Sequence, residues 1–150
     1  MRFAPAFCLP LVVALACGRG ERPAADTAVA TPAPAALAEA DIAGTWTGTA
    51  KAEGSDSVMV HWTQVCANGA CAGTSQEAPT DTIPSTYRIE GDSAVGVTPA
   101  YVDPAIGKAK VIDHWVLRIT GAALTGHGWY TLEEKPDSVL MRYTFEGGRK

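Results

Sequence analysis

Hydrophobic and polar residues alternate most clearly over residues 111–132. The large apolar side chains first occupy odd positions and then, past Gly121-Ala122, even ones: Val111, Trp115, Leu117 and Ile119, then Leu124, Tyr130 and Leu132. A two-residue turn, with Gly121 supplying the positive φ of type II′, makes Ile119 face Leu124 across the predicted hairpin. One face is then apolar and the other mixed, as in an antiparallel sheet that covers a core on one side.

Short runs rich in Thr, Val, Ile, Trp and Tyr, separated by Gly, Asp, Pro and Ser, continue from residue 41 to the C-terminus. They predict eight strands, at about residues 42–51, 57–66, 71–78, 82–90, 94–98, 110–120, 123–132 and 138–146. Nearly all connections have hairpin length, and a meander of this size loses its exposed edges by closing. We therefore predict an all-β fold over residues 41–150, an eight-stranded antiparallel up-and-down β-barrel.

The turns fix the register of three further hairpins. A two-residue turn at Asn68-Gly69 pairs Cys66 with Cys71, which predicts a disulfide that contributes about 2 kcal/mol to stability. A three-residue loop around Gly91-Asp92 pairs Ile89 with Val95 and Tyr87 with Val97. A four-residue loop over residues 134–137 pairs Leu132 with Val139, Tyr130 with Met141 and Gly128 with Tyr143.

The first forty residues lack this pattern. Residues 1–16 hold Arg2 and an apolar run too short to span a bilayer, which is typical of a secretory signal. Residues 13–17, Val-Ala-Leu-Ala-Cys, resemble the bacterial lipobox, which implies that Cys17 is acylated; the alternative is an ordinary signal peptide. Gly18 after the cysteine implies the outer membrane. Residues 17–40, mostly Ala, Pro and Thr, predict a tether.

Charge limits the partners of this chain. The formal net charge is −4, and loss of the signal with Arg2 makes it −5. Without a basic stripe, the chain is not expected to bind nucleic acid, and it reaches a membrane only through lipid on Cys17. We expect a monomer, and a protein partner is left open.

The start of the first strand carries a family resemblance. Residues 42–48, Ile-Ala-Gly-Thr-Trp-Thr-Gly, resemble the Gly-x-Trp opening of calycins, the group that contains lipocalins, fatty-acid-binding proteins and nitrobindin-like proteins. The resemblance implies that Trp46 plugs the closed end of a β-barrel. It also implies that a basic residue from near the C-terminus, Arg149 or Arg142, covers Trp46.

The apolar face of the predicted sheet carries one charged residue, Asp113, opposite Tyr130. A buried carboxylate needs hydrogen-bond partners and has a raised pKa, whereas the same residue at the rim is simply solvated. The long connection over residues 99–109 carries Tyr101 and either folds over the mouth as a lid or caps it permanently. The candidate ligand-binding residues are therefore Asp113, Tyr130, Tyr101, Trp115, Trp62 and Tyr143.

The opposite face places His114 and His127 beside Trp129. A third metal ligand is missing, so we expect a contact surface here and no metal site. The sequence contains no nucleophile elbow, glycine-rich phosphate loop or His-Glu-x-x-His motif. We therefore expect neither catalysis nor a cofactor.

These observations predict a non-enzymatic binding module, exported and lipid-anchored, for a small, mostly apolar ligand that is neutral or cationic. The alternative is a ligand-free envelope protein that contacts another protein through its outer surface. Interior volume separates the two, because an eight-stranded barrel holds either its own side chains or one small ligand.

Overall fold

The computed structural model describes residues 36–103 and 106–150. The predicted signal peptide, the lipidation site at Cys17 and most of the predicted tether lie outside the described residues. In the described part of the chain, no helix is both long and apolar enough to cross a membrane.

One short helix and nine strands make up the described chain. The helix α1 is Glu39–Ile42, and the strands are β1 Gly44–Ala52, β2 Val58–Ala67, β3 Ala70–Ser75, β4 Ile83–Glu90, β5 Ser93–Val97, β6 Tyr101–Val102, β7 Lys110–Thr120, β8 Ala123–Leu132 and β9 Lys135–Arg149. All pairings are antiparallel, in the order β5-β4-β3-β2-β1-β9-β8-β7, and β5 closes onto β7. The predicted all-β, eight-stranded closed barrel is confirmed. Strand β6 adds to the edge of β7 beyond the end of β5.

Two predicted hairpins have the expected register. Ile119 pairs with Leu124 and Gly121 has a φ of 62°, as the β7–β8 turn requires. Cys66 pairs with Cys71 and forms the predicted disulfide, with a Cα–Cα distance of 4.1 Å. The side-chain alternation together with the turn residues was sufficient to set both registers.

The predicted register of the β4–β5 hairpin is wrong. A two-residue turn pairs Ile89 with Ala94 and Tyr87 with Gly96, which leaves Val97 37 % exposed. The physical reason is the indole of Trp115, which lies against the backbone of Gly96. The small residues Ala94 and Gly96 of β5 therefore face inward, and Val95 and Val97 have the opposite parity on the strand.

The β8–β9 hairpin departs from the predicted four-residue loop. Tyr130 still pairs with Met141, but the register then shifts, so that Thr131 pairs with Val139 and Leu132 pairs with Lys135. A strand irregularity of this kind absorbs extra residues while the rest of the strand keeps its inward face. The shift leaves Val139 exposed and keeps Tyr143 buried in the barrel.

Apolar side chains fill one end of the barrel around Trp46, which is 1 % exposed. Its Nε1 donates a hydrogen bond to the carbonyl oxygen of Ile42, 2.7 Å away. The Arg149 guanidinium lies over the ring, 4.5 Å from its centroid, and donates hydrogen bonds to the carbonyl oxygens of Asp41 and Ala43. Arg149 therefore covers Trp46 as the calycin resemblance implies, whereas Arg142 pairs with Trp129 on the outer face.

The segment before β1 also packs against this end. Leu37 contacts the core cluster and its N–H donates to the carbonyl oxygen of Gly91. The Tyr87 hydroxyl donates to Glu39 at 2.5 Å, and burial together with this bond raises the pKa of Tyr87 to about 12. Among the described residues, Leu37 and Glu39 therefore contact the barrel, although the sequence assigns both to the tether.

Gly96→Ala should lower the free energy of unfolding by about 1–3 kcal/mol, because a Cβ there would overlap the Trp115 indole. Gly73→Ala is the matched strand control, since its Cβ would lie 3.6 Å from the nearest atom, the Ile83 carbonyl oxygen. We expect it to change stability by less than about 0.5 kcal/mol. Urea unfolding followed by tryptophan fluorescence measures both variants. Equal stability of the two would contradict the packing role of Gly96.

Candidate ligand-binding cavity

The other end of the barrel contains a cavity of about 630 Å³, which is within the range of small-molecule sites. Trp62 and Phe145 pack against both the filled end and the residues around the cavity, so they form its floor. The walls are formed by aliphatic and aromatic side chains and a smaller set of polar ones, including Met59, Val60, Leu117, Ile83, Tyr130, Met141, Gln64, Ser85 and Asp113.

All six residues predicted from the sequence to bind a ligand line this cavity: Trp62, Tyr101, Asp113, Trp115, Tyr130 and Tyr143. They come from five strands, β2, β6, β7, β8 and β9. Tyr101 packs inward as part of β6, and Ile106 packs beside it, so this side of the long connection covers part of the interior.

Asp113 is held in place by its backbone and by its side chain. Its N–H donates to Thr98 Oγ1 at 2.9 Å, and its carbonyl oxygen accepts from the Thr98 N–H at 3.0 Å. The Tyr143 hydroxyl donates to Asp113 Oδ1 at 2.7 Å. Among the described residues, no group donates to Oδ2.

The bond between Tyr143 and Asp113 depends on a glycine. Tyr143 lies on β9 and Asp113 on β7, and the intervening strand β8 presents Gly128 between them. A Cβ at Gly128 would overlap the ring and hydroxyl of Tyr143. The ring therefore crosses β8 only because this position has no side chain.

Burial governs the acid–base chemistry of the site. It raises the pKa of Asp113 to about 7, against the opposing effect of the Tyr143 hydrogen bond, and the charge of Asp103 raises it further. The side chain keeps a partial exposure, and that part faces the cavity. The rim alternative, in which Asp113 is simply solvated, therefore does not describe its surroundings.

The tyrosines around Asp113 remain protonated near neutral pH. Burial, followed by the charge of Asp113, raises the pKa of Tyr101, Tyr130 and Tyr143 above the ordinary value. The Tyr101 hydroxyl interacts with that of Tyr130 and with Asp103. The polar part of the cavity is thus one connected group of hydroxyls and carboxyls.

Sequence reasoning missed two polar residues of the cavity, Ser85 and Asp103, and did not foresee that the indole N–H of Trp62 is unpaired. Ser85 Oγ and Trp62 Nε1 are buried and, among the described groups, have no hydrogen-bond partner. Asp103 was overlooked beside Tyr101 in the long connection. Ser85 shares the inward parity of Tyr87 on β4, so the alternation along that strand could have identified it.

The outer face carries the predicted aromatic group. The rings of His114 and Trp129 are stacked with their centroids 5.2 Å apart, and the ring of His127 stacks with Trp129 at a centroid distance of 6.5 Å. Within residues 36–103 and 106–150, no three His, Cys, Asp or Glu side chains are grouped so that they could hold a metal ion. The role of this face as a contact surface stays a prediction.

Comparison with known protein families, with curated proteins and with solved structures found no match for this chain.

Replacing Asp113 with asparagine should stabilise the protein increasingly as the pH rises. The folded pKa of Asp113, about 7, lies above its ordinary value, so ionisation lowers the free energy of unfolding as the pH passes from about 4 to about 7. The stability of Asp113→Asn relative to the unmodified protein should therefore increase by about 2.5 kcal/mol between about pH 5 and about pH 8. Urea unfolding at both pH values measures this change. A constant difference would show that Asp113 ionises normally.

Proposed function

We propose that this protein is an exported, lipid-anchored envelope protein whose calycin-like barrel binds a small, mostly apolar molecule without catalysis. The anchor is lipid on Cys17, in the outer membrane, and the binding site is the cavity between Trp62 and the β6 side of the barrel. The protein acts as a monomer and takes up its ligand at the end opposite Trp46.

The cavity is the observation that carries this proposal. Its volume of about 630 Å³, which includes a mouth lined by Glu77 and Asp81, is within the range of small-molecule sites. Its floor and walls are mainly aromatic and aliphatic, and burial of an apolar ligand releases about 25 cal/mol for each Å² removed from water. Polar side chains among the lining residues, including Gln64 and Asp113, would fix its orientation.

The calycin assignment is supported by the closed end of the barrel. Trp46 is buried under the Arg149 guanidinium, and the eight strands follow one another as a meander apart from the added β6. This arrangement joins the N-terminal and C-terminal strands at one end and leaves the opposite end for the ligand.

A protein-contact function is the second candidate, because the His114–Trp129–His127 stack lies on the outer face. Aromatic side chains on a surface are typical of protein interfaces. This function does not require an empty interior, so the cavity favours ligand binding.

Val60→Trp should weaken the binding of the neutral fluorescent probe N-phenylnaphthylamine by about tenfold or more, because Val60 lines the cavity and the larger side chain would occupy it. Val65→Trp on the same strand is the matched control, since Val65 is exposed outside the barrel. Fluorescence titration of the purified protein with Cys17→Ser, which prevents acylation, measures both affinities.

Intact-mass and native mass spectrometry of the protein with its natural Cys17 complete the test. The intact mass should include acyl chains, and gentle extraction should retain an additional small molecule on the barrel. Bare protein mass together with absence of probe binding, or equal probe binding by both tryptophan variants, would rule out the ligand-binding proposal.

A further inference from the structure

The charged residues that line the cavity all have the same sign. They are Glu77, Asp81, Asp103 and Asp113, and among the described lining residues there is no Lys, Arg or His. Glu77 Oε1 lies 3.1 Å from Nδ1 of the exposed His61, whereas Asp113 faces the interior of the barrel and is bonded to Tyr143. A cavity lined by one sign of charge and low-dielectric walls concentrates ligands of the opposite sign.

Asp113 presents an open hydrogen-bond position to the cavity. The Tyr143 hydroxyl donates to Oδ1, and Thr98 makes hydrogen bonds with both the N–H and the carbonyl oxygen of Asp113. Among the described residues, no group donates to Oδ2. A cationic N–H donor strongly stabilises the ionised form of a buried carboxylate that has a free lone pair. The charge-assisted hydrogen bond replaces the hydration that the carboxylate lost on burial.

The aromatic side chains of the cavity indicate that the ligand carries an apolar body beside its cationic group. The rings of Trp62, Trp115 and Tyr130 line the same space. Aromatic faces attract cations and also bury apolar groups efficiently.

We propose that the cavity selects an organic cation, a primary or secondary ammonium on an apolar body, whose N–H donates to Asp113 Oδ2. This inference rests on the proposed binding function and names its ligand class. The apolar body lies on the aromatic floor, and the acidic lining repels carboxylate amphiphiles such as fatty acids.

The same arrangement makes binding depend on pH. The groups that face Asp113 are Tyr143 on β9, Tyr130 on β8, Tyr101 on β6 and Asp103 in the connection that follows. The tyrosines stay neutral, so the carboxyls supply the change in charge. Because the pKa of Asp113 is about 7 before the ligand binds, acid neutralises the partner of the ammonium. The affinity should fall about tenfold for each pH unit below about 7, down to the level that apolar contacts alone provide.

Isothermal titration calorimetry with three matched ligands tests the proposal on the purified full chain carrying Cys17→Ser. Naphthylethylamine, naphthylethanol and naphthylpropionate share one apolar body and present an ammonium, a hydroxyl and a carboxylate. At about pH 8 the amine should bind at least about tenfold more tightly than the alcohol, and the carboxylate should bind most weakly. Near pH 5 the difference between amine and alcohol should disappear.

Asp113→Asn should remove the preference for the amine and its pH dependence while the alcohol binds as before. Asp137→Asn makes the same change of charge on an exposed residue that does not line the cavity, and it should leave all three affinities unchanged. If Asp113→Asn fails to fold, the affinities of the unsubstituted protein for the amine and the alcohol at about pH 8 and near pH 5 decide whether the proposal holds.

The outcomes separate this inference from the proposed function. If at about pH 8 the alcohol or the carboxylate binds as tightly as the amine, or if the amine affinity does not change with pH or does not change in Asp113→Asn, the cation assignment is wrong and the apolar binding function stands. If none of the three ligands binds, both fail.

Discussion

Aromatic rings that lie across glycines of neighbouring strands hold this barrel together. Trp115 crosses Gly96, Phe145 crosses Gly126 and Tyr143 crosses Gly128, in each case so closely that a Cβ would overlap the ring. Trp62 likewise occupies the space beside Gly48 and Gly147. A ring laid along the wall buries a large apolar area while it occupies little of the radius. The barrel can therefore be rich in aromatic residues and still keep an interior space.

The same packing builds the polar site. Tyr143 reaches Asp113 over the bare backbone of Gly128, so a hydroxyl from one strand satisfies a carboxylate two strands away. Tyr130 lies beside Tyr143 with ring centroids 5.4 Å apart and closes the aromatic wall around the carboxylate. The burial of Asp113 thus depends on the glycines of the neighbouring strands, because the ring of Tyr143 lies over Gly128 and covers part of the carboxylate.

Alternation and turn residues were sufficient to predict the closed barrel, the Cys66–Cys71 pair and the inward set of cavity residues, because these depend only on parity along each strand. Parity does not say which neighbour fills the space above a glycine. The β7–β8 register correctly pairs Trp115 with Gly128, but Tyr143 occupies that space and Trp115 leans over Gly96 instead. The β4–β5 register failed for this reason, since large residues were assumed to face one another across the turn. The depth of Asp113 likewise depends on residues distant in sequence, such as Thr98 and Tyr143.

Stability alone gives no reason for a carboxylate at position 113. Raising its pKa from 3.8 to about 7 corresponds to on the order of 4 kcal/mol against the ionised form, and a neutral side chain of similar size avoids this loss. A cationic ligand can recover this free energy, because it stabilises the ionised carboxylate and lowers its pKa. Each pKa unit by which binding lowers the pKa of Asp113 corresponds to a tenfold gain in affinity. Phe145 and Tyr143 form the apolar surroundings that create the penalty, and the same rings would bury the body of the ligand. A destabilising acid in an apolar cavity is therefore explained more simply by recognition of a cation than by folding.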